Sequence, residues 1–195
     1  MATDNSQRSV LLIGKSQLVL DDTLAGLRDL GYKAEATNDF ADVMTRFDAR
    51  EIDLVVFGGQ VTPDLKAELR EEISAINPRM TFVQGLAGIP GLIINQVQGA
   101  FARDHQEPVR TPTFTPYERS IKVTLPDPAD VKVTIWWQTS FVPPDPQSDS
   151  LVLLNDRLAA GDHAVTVPDL VPPKAAFATV QVDAAIYAFS IATDQ

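Results

Sequence analysis

Along residues 1–103, short continuous apolar runs alternate with segments whose apolar residues recur at the spacing of a helix. Val10-Leu11-Leu12-Ile13 is an unbroken apolar run that ends at Gly14, which is typical of a strand buried on both faces of a parallel sheet. Leu20, Leu24 and Leu27 then recur at the spacing of one face of a helix. The same succession continues to residue 103 and predicts the order β-α-β-α-β-α-β-α.

The remaining elements of this half carry similar signals. Strands are predicted at 33–37, 54–57 and 81–83, and helices are predicted to begin at Asn38 or Asp39, at Thr62-Pro63 and near Leu92. Because strands and helices alternate, the connections should be right-handed crossovers. The pattern therefore predicts a parallel four-stranded sheet that is covered by helices.

The second half has the period of two that strands show. Ile121, Val123 and Leu125 share one face of a segment. One face of the next segment carries Val131, Val133, Ile135 and Trp137. Further short strands are predicted at 151–154, 164–167, 176–182 and 185–192. With proline-rich turns between them, these segments predict a small antiparallel β-sandwich. The fold class is thus α/β plus all-β.

Glycine and proline mark the border between the halves. Nine of the ten glycines precede residue 100, and eleven of the fourteen prolines follow residue 107. The stretch "RDHQEPVRTPTFTPY" contains three of those prolines among polar residues, as an extended linker would. We therefore predict an α/β domain at 1–103, a linker at 104–117 and a β-sandwich at 118–195.

Composition narrows the classes of function. The net charge is −10 and the pI is about 4.5, so the chain should repel nucleic acid and anionic membranes. The sequence lacks cysteine, an apolar leader segment and an apolar run of membrane-spanning length. We expect a cytoplasmic protein that binds neither nucleic acid nor membrane.

The first half resembles a response-regulator receiver domain of the flavodoxin-like type. The resemblance covers about residues 8–103 and rests on "SVLLIG", "LRDLGYKAEATNDFADVMTRF" and "IDLVVFGG", in that order and spacing. It implies a domain that docks protein partners or self-associates. The second half resembles no family that we recognise.

This sequence has other residues at the positions that carry the function of a receiver. Receivers carry Mg²⁺-binding acidic residues directly after the first strand, where this chain has Gly14-Lys15-Ser16. The phospho-acceptor aspartate falls at Gly58, the hydroxyl residue after the fourth strand falls near Gly85, and no fifth strand is evident. A carboxylate nucleophile and oxygen ligands for Mg²⁺ are both missing. We predict a pseudo-receiver with no catalytic residue, metal or cofactor.

The strand ends are nevertheless a candidate ligand site. Ligands of open α/β sheets bind beyond the carboxyl ends of the strands, and glycines there would leave a rim that exposes backbone donors. A small ligand or a partner segment could fill it, whereas plain turns are the alternative. Lys15 could also meet an anion at a helix N-terminus. The predicted rim consists of Gly14, Lys15, Ser16, Gly58, Gly59, Gln60, Gln84 and Gly85.

Two familiar glycine motifs are excluded by their spacing. "GKS" lacks the first glycine of a P-loop, because Ser9 stands at that position. The glycines of "GLAGIPG" follow a late strand and do not have the spacing of a dinucleotide fingerprint.

The two histidines, His105 and His163, have no partner at metal-ligand spacing.

The second half contains a candidate partner site. Trp136 shares the polar face of its strand with Lys132, Thr134 and Gln138, so it could anchor an interface. It could instead pack under the "VPPDP" loop or against the first domain. Phe177 could likewise either anchor an interface or pack within the protein.

These observations favour a non-catalytic regulatory or scaffold protein that binds a protein partner or forms a homodimer. The alternative is a sensor that binds a small molecule or nucleotide at the glycine rim.

Overall fold

A computed structural model describes residues 5–102, 111–140 and 147–192. The chain divides into two compact units, Met1–Val97 and Gln98–Gln195, called here the first and second units. The sequence predicts the end of the α/β domain at residue 103, and Val97 lies within the helix Pro90–Ala102.

The first unit has the predicted alternation of strands and helices. Its sheet has the order β2-β1-β3-β4, and all of its strand pairs are parallel. The predicted four-stranded parallel sheet is therefore confirmed. The elements are β1 (Ser9–Ile13), α1 (Gln17–Asp29), β2 (Lys33–Thr37), α2 (Val43–Arg46), a 3-10 turn (Ala49–Glu51), β3 (Leu54–Phe57), α3 (Pro63–Ile76), β4 (Thr81–Gln84) and α4 (Pro90–Ala102).

Two helices begin where side-chain caps place them. The Ser16 hydroxyl accepts a hydrogen bond from the backbone N–H of Val19 at 3.4 Å, and α1 starts directly after Ser16. Thr62 caps α3 in the same way, and Pro63 is the first residue of that helix, as predicted.

The second predicted helix is much shorter than its apolar pattern indicated. We expected it to start at Asn38 or Asp39, but α2 spans only Val43–Arg46. The carboxylate of Asp39 accepts from the N–H of Ala41 at 3.1 Å, and the Thr37 hydroxyl accepts from the N–H of Asp39 at 3.1 Å. These local bonds hold a turn where the helix would have started.

The second unit contains two antiparallel sheets, of order β11-β10-β7-β8 and β5-β6-β9. Apolar residues of both sheets belong to one core cluster, for example Ile121 and Ile135, which are both fully buried. The strands are β5 (Thr113–Thr115), β6 (Ser120–Leu125), β7 (Ala129–Ser140), β8 (Gln147–Leu158), β9 (Gly161–Thr166), β10 (Ala176–Val182) and β11 (Ala185–Ser190).

Strand β5 lies inside the segment that we interpreted as a linker, 104–117. Phe114 is opposite Ile121 in the β5–β6 ladder and packs on the core cluster, so this part of the segment belongs to the β fold. Residues 104–110 of the predicted linker lie outside the described residues.

Candidate functional site

The predicted rim residues converge at one edge of the parallel sheet. Gly14, Gly58 and Gly85 directly follow β1, β3 and β4, and parallel strands place such residues side by side. The chain runs from β1 to β2 on one side and then crosses to β3 on the other. This edge is therefore the topological switch point at which open α/β sheets bind ligands.

Backbone packing closes most of this edge. A Cβ atom at position 58 would lie 3.2 Å from the Cα of Gly14 and 3.4 Å from the carbonyl oxygen of Ile13. A Cβ atom at position 85 would lie 3.3 Å from a methyl group of Val56 and 3.4 Å from the carbonyl oxygen of Phe57. The glycines therefore allow close approach of the backbone and leave no side-chain-sized gap between the strand ends.

The expectation of exposed backbone donors is wrong for three of the glycines. The N–H of Gly14 donates to the carbonyl of Thr37 at 3.1 Å, and that of Gly58 donates to Ile13 at 2.8 Å. The N–H of Gly85 donates to Phe57 at 2.9 Å. Each glycine extends the ladder of its strand by one bond, so these donors are not available to a ligand.

Gln84 is fixed by a network that the sequence did not reveal. Its side-chain amide donates to the carbonyl of Phe57 at 3.0 Å and to that of Gly85 at 3.2 Å. Gln96 of α4 donates to the carbonyl of Gln84 at 2.9 Å and accepts from the N–H of Leu86 at 3.0 Å. The two glutamines thus hold the β4–α4 loop against the sheet.

The other rim residues differ in whether they are exposed and whether their polar groups are already hydrogen-bonded. Ser16 is occupied as the cap of α1, whereas Lys15 is exposed. Gly59 and Gln60 are exposed at the tip of the β3–α3 loop, and no atom lies within 4 Å of a Cβ built at position 59. Ligand binding by the rim stays a prediction, and the exposed rim residues that could take part in it are Lys15, Gly59, Gln60 and Gln84.

No carboxylate stands at the positions that phosphoryl transfer would need, because residues 14 and 58 are glycines. The Asp21 carboxylate accepts from the side chain of Gln17 at 2.8 Å, and Gln17 in turn accepts from Asn38 at 3.0 Å. Across residues 5–102, 111–140 and 147–192, no group of three acidic or histidine side chains could hold a metal ion.

A second concavity lies at the opposite end of the same sheet. It has a volume of about 570 Å³ and is lined by the first residues of β1 and β2 and by residues near the 3-10 turn. Burial raises the pKa of the Tyr32 phenol, while the charge of Arg8 opposes that shift. The cleft carries both signs of charge, from Arg28, Lys33, Glu35, Asp48 and Glu51. The sequence does not reveal this cleft, because its lining residues form no motif.

Trp136 is held by a hydrogen bond within the larger β sheet. Its indole N–H donates to the hydroxyl of Thr179 at 3.0 Å, and Phe177 stands opposite it in the β7–β10 ladder. Both aromatic side chains are half-buried, whereas Thr134 and Thr179 on the same face are only 6% and 3% exposed. A role of Trp136 and Phe177 in partner binding stays a prediction. The "VPPDP" loop lies outside the described residues.

Among the described residues, His163 belongs to no group of side chains that could hold a metal ion. The ring of His163 lies on β9, with its Nε2 atom 2.8 Å from the carbonyl oxygen of Ala159. His105 lies outside the described residues.

The strand order and the covering helices define the first unit as a flavodoxin-like α/β fold, which is joined to a β-rich second unit. No family model and no curated protein matches the sequence. One similar solved structure is a glutamine amidotransferase from Thermotoga maritima, with 14% identity and a TM-score of 0.32. The match covers 82% of this chain and 63% of that protein, so this chain spans less than two thirds of its length. Within the described part of the chain, no helix is both long and apolar enough to cross a membrane.

Proposed function

We propose that this chain is a non-catalytic regulatory or scaffold protein. In this proposal the first unit is a pseudo-receiver that docks a protein partner or a second copy of the chain. The second unit is a β-sandwich that adds an interaction surface.

The main support for the proposal is the packing of Gly58 against Gly14. Position 58 matches the phospho-acceptor of the receivers that the first unit resembles, and a Cβ there would meet the backbone at 3.2 Å. A carboxylate nucleophile and Mg²⁺ both need space and oxygen ligands at that point. The paired N–H groups of Gly14, Gly58 and Gly85 occupy the edge instead.

The shared core of the second unit supports the sandwich. Val123 from the smaller sheet and Val133 and Val180 from the larger one are fully buried in the same cluster. Inward apolar residues of two sheets that form one core are what a sandwich requires. Trp136 and Phe177 would then lie on the outer face of the larger sheet, where aromatic residues can anchor a partner.

The alternative, a sensor that uses the glycine rim, receives less support from the geometry. Its intended backbone donors are bonded, and its exposed residues are Lys15, Gly59, Gln60 and Gln84, the last with its side-chain amide already hydrogen-bonded. The test below includes the result that such a sensor would give.

The proposal predicts that a small acyl phosphate with Mg²⁺ leaves the intact mass of the full chain unchanged. Nucleoside triphosphates and acidic metabolites should also leave the melting temperature unchanged, because the proposal expects no binding at the rim. A ligand that did bind, at a hundred times its Kd, would stabilise the fold by about 2.7 kcal/mol and raise the melting temperature. A competent receiver domain serves as the positive control for the phosphodonor. Addition of a phosphoryl group would contradict the pseudo-receiver, and a saturable rise in melting temperature would favour the sensor.

A further inference from the structure

A cleft of about 570 Å³ lies at the amino ends of β1 and β2, at the far end of the sheet from the glycine rim. Its lining includes Ser9, Lys33 and Glu35 from the strands, and Asp48 and Glu51 from the segment before β3. Small-molecule sites in proteins commonly have volumes of about 300–1,000 Å³. This concavity, called here the charged cleft, is therefore large enough for a small metabolite.

The charged cleft lies on the face of the sheet that the short helix α2 covers only in part. Val43 of α2 packs in one cluster with Leu11 of β1, and Ser9 shares that face because it is two residues away on the same strand. The four residues of α2 rise about 6 Å, whereas a five-residue strand is about 17 Å long. The helix therefore covers one end of the strands, and no residue of α2 lines the cleft at the other end.

The guanidinium group of Arg28, which lines the charged cleft, is fixed against the backbone of β2. Its Nε and Nη2 atoms both donate to the carbonyl of Ala34, at 3.1 and 2.8 Å, and Ala34 is only 4% exposed. These bonds use one edge of the planar group. The edge formed by Nη1 and Nη2 remains, and its parallel N–H groups match the two oxygens of a carboxylate.

Charges of both signs line the cleft without neutralising one another. Two cationic and two acidic side chains form no ion pair in the described part of the chain: Arg28, Lys33, Glu35 and Glu51. Asp48 is already paired with Arg50 at 3.8 Å. The four unpaired charges sum to zero, so a ligand with one sign of charge would meet like charges as well as opposite ones. A ligand with one positive and one negative group can pair with both kinds.

We propose that the charged cleft binds a small zwitterion, namely a free amino acid with an uncharged side chain. Its carboxylate pairs with the remaining edge of Arg28. Its ammonium group, which has three N–H donors, pairs with the carboxylates of Glu35 and Glu51. The site lies at the opposite end of the sheet from the glycine rim, so it is separate from the sensor alternative and adds a ligand to the proposed regulatory function.

Titration of the full chain with single neutral L-amino acids, followed by amide NMR signals, tests the proposal. At least one of them should shift the signals of Ser9, Lys33 and Glu51 in a saturable way and raise the melting temperature. Analogues that lack one charged group should bind at least about tenfold more weakly, because one charged hydrogen-bonding pair is lost. For leucine these analogues are 4-methylpentanoate and 3-methylbutylamine.

Three variants separate the cleft from its surroundings. Arg28→Lys keeps the charge and loses the two-pronged edge, and Glu51→Gln removes one acid with little change of shape, so each should weaken binding at least about fivefold. The matched control is Arg50→Lys, because Arg50 does not line the cleft and its side chain is 76% exposed. This control should bind as the wild type does. Circular dichroism checks that all three variants fold, and Glu51→Gln serves alone if Arg28→Lys does not.

The absence of saturable shifts with every neutral amino acid would overturn the proposal. Equal binding of the analogue without an ammonium group would also overturn it, and so would wild-type affinity in Glu51→Gln. Shifts confined to Gly59 and Gln60 would assign the ligand to the glycine rim and contradict the proposal as well. The phosphodonor result does not involve this cleft, so the pseudo-receiver proposal can fail or stand separately.

Discussion

Replacing Gly58 with aspartate should lower the free energy of unfolding of the first unit by about 2–3 kcal/mol, because the new side chain overpacks a site closed by backbone. Its Cβ would lie 3.2 Å from the Cα of Gly14 and 3.4 Å from the carbonyl oxygen of Ile13, neither of which can rotate away. The variant restores the acidic residue of a receiver at the matching position, yet it should not gain phosphorylation. Denaturant unfolding followed by the helical circular dichroism signal measures the effect, because every described helix begins in the first unit.

The matched control is Gly59→Asp. It adds the same charge one residue further on, where no atom lies within 4 Å of the new Cβ. Its effect on the free energy of unfolding should stay within about 0.5 kcal/mol, as for ordinary surface substitutions. Equal stability of the two variants would show that the strand ends have room for a side chain.

Replacing Arg119 with alanine should destabilise the second unit by about 2–3 kcal/mol, because charged hydrogen bonds to partly buried carbonyls are lost. The Nη2 atom of Arg119 donates to the carbonyl of Pro168 at 2.9 Å and to that of Val171 at 3.0 Å. The Nε atom donates to Val167 at 3.4 Å, and the side chain is only 27% exposed. Arg119 therefore joins the β5–β6 turn to the segment after β9. Tryptophan fluorescence reports this unfolding, since both tryptophans lie in the second unit.

Lys122→Ala is the control for the charge that the Arg119 variant removes. Lys122 pairs with Glu118 at 3.0 Å, but both side chains are about half exposed, at 51% and 52%. Exposed pairs of this kind contribute about 0.2–1 kcal/mol. If the two variants unfold at the same denaturant concentration, the carbonyl bonds of Arg119 do not stabilise the turn.

Much of the first unit could be predicted because its signals are local. Strands β2 and β3 lie where the apolar pattern placed them, and Thr62-Pro63 starts α3 through a cap that acts within three residues. The failure at α2 is also local, since the Thr37 and Asp39 side chains compete with the helix for backbone bonds. Strand β5 was missed because the prolines on either side of it, Pro112 and Pro116, resemble those of a linker, while its pairing depends on β6.

The closure of the candidate site could not be predicted, because its partners are distant in sequence. Whether the N–H of Gly58 is free depends on the carbonyl of Ile13, which the register of β1 and β3 brings to 2.8 Å. The bonds from Gln96 to the β4–α4 loop and from Arg119 to the segment after β9 are likewise set by tertiary structure. A glycine in the sequence is compatible with an open rim and with close backbone packing, and only the register distinguishes them.

Amide hydrogen exchange, resolved by residue with NMR, tests the closed edge most directly. We expect the N–H groups of Gly14, Gly58 and Gly85 to exchange almost as slowly as that of Val56 in the buried strand β3, while that of the exposed Gly59 exchanges fast. Exchange of Gly58 and Gly85 as fast as that of Gly59 would contradict it, because the strand ends would then be open to solvent and to a ligand.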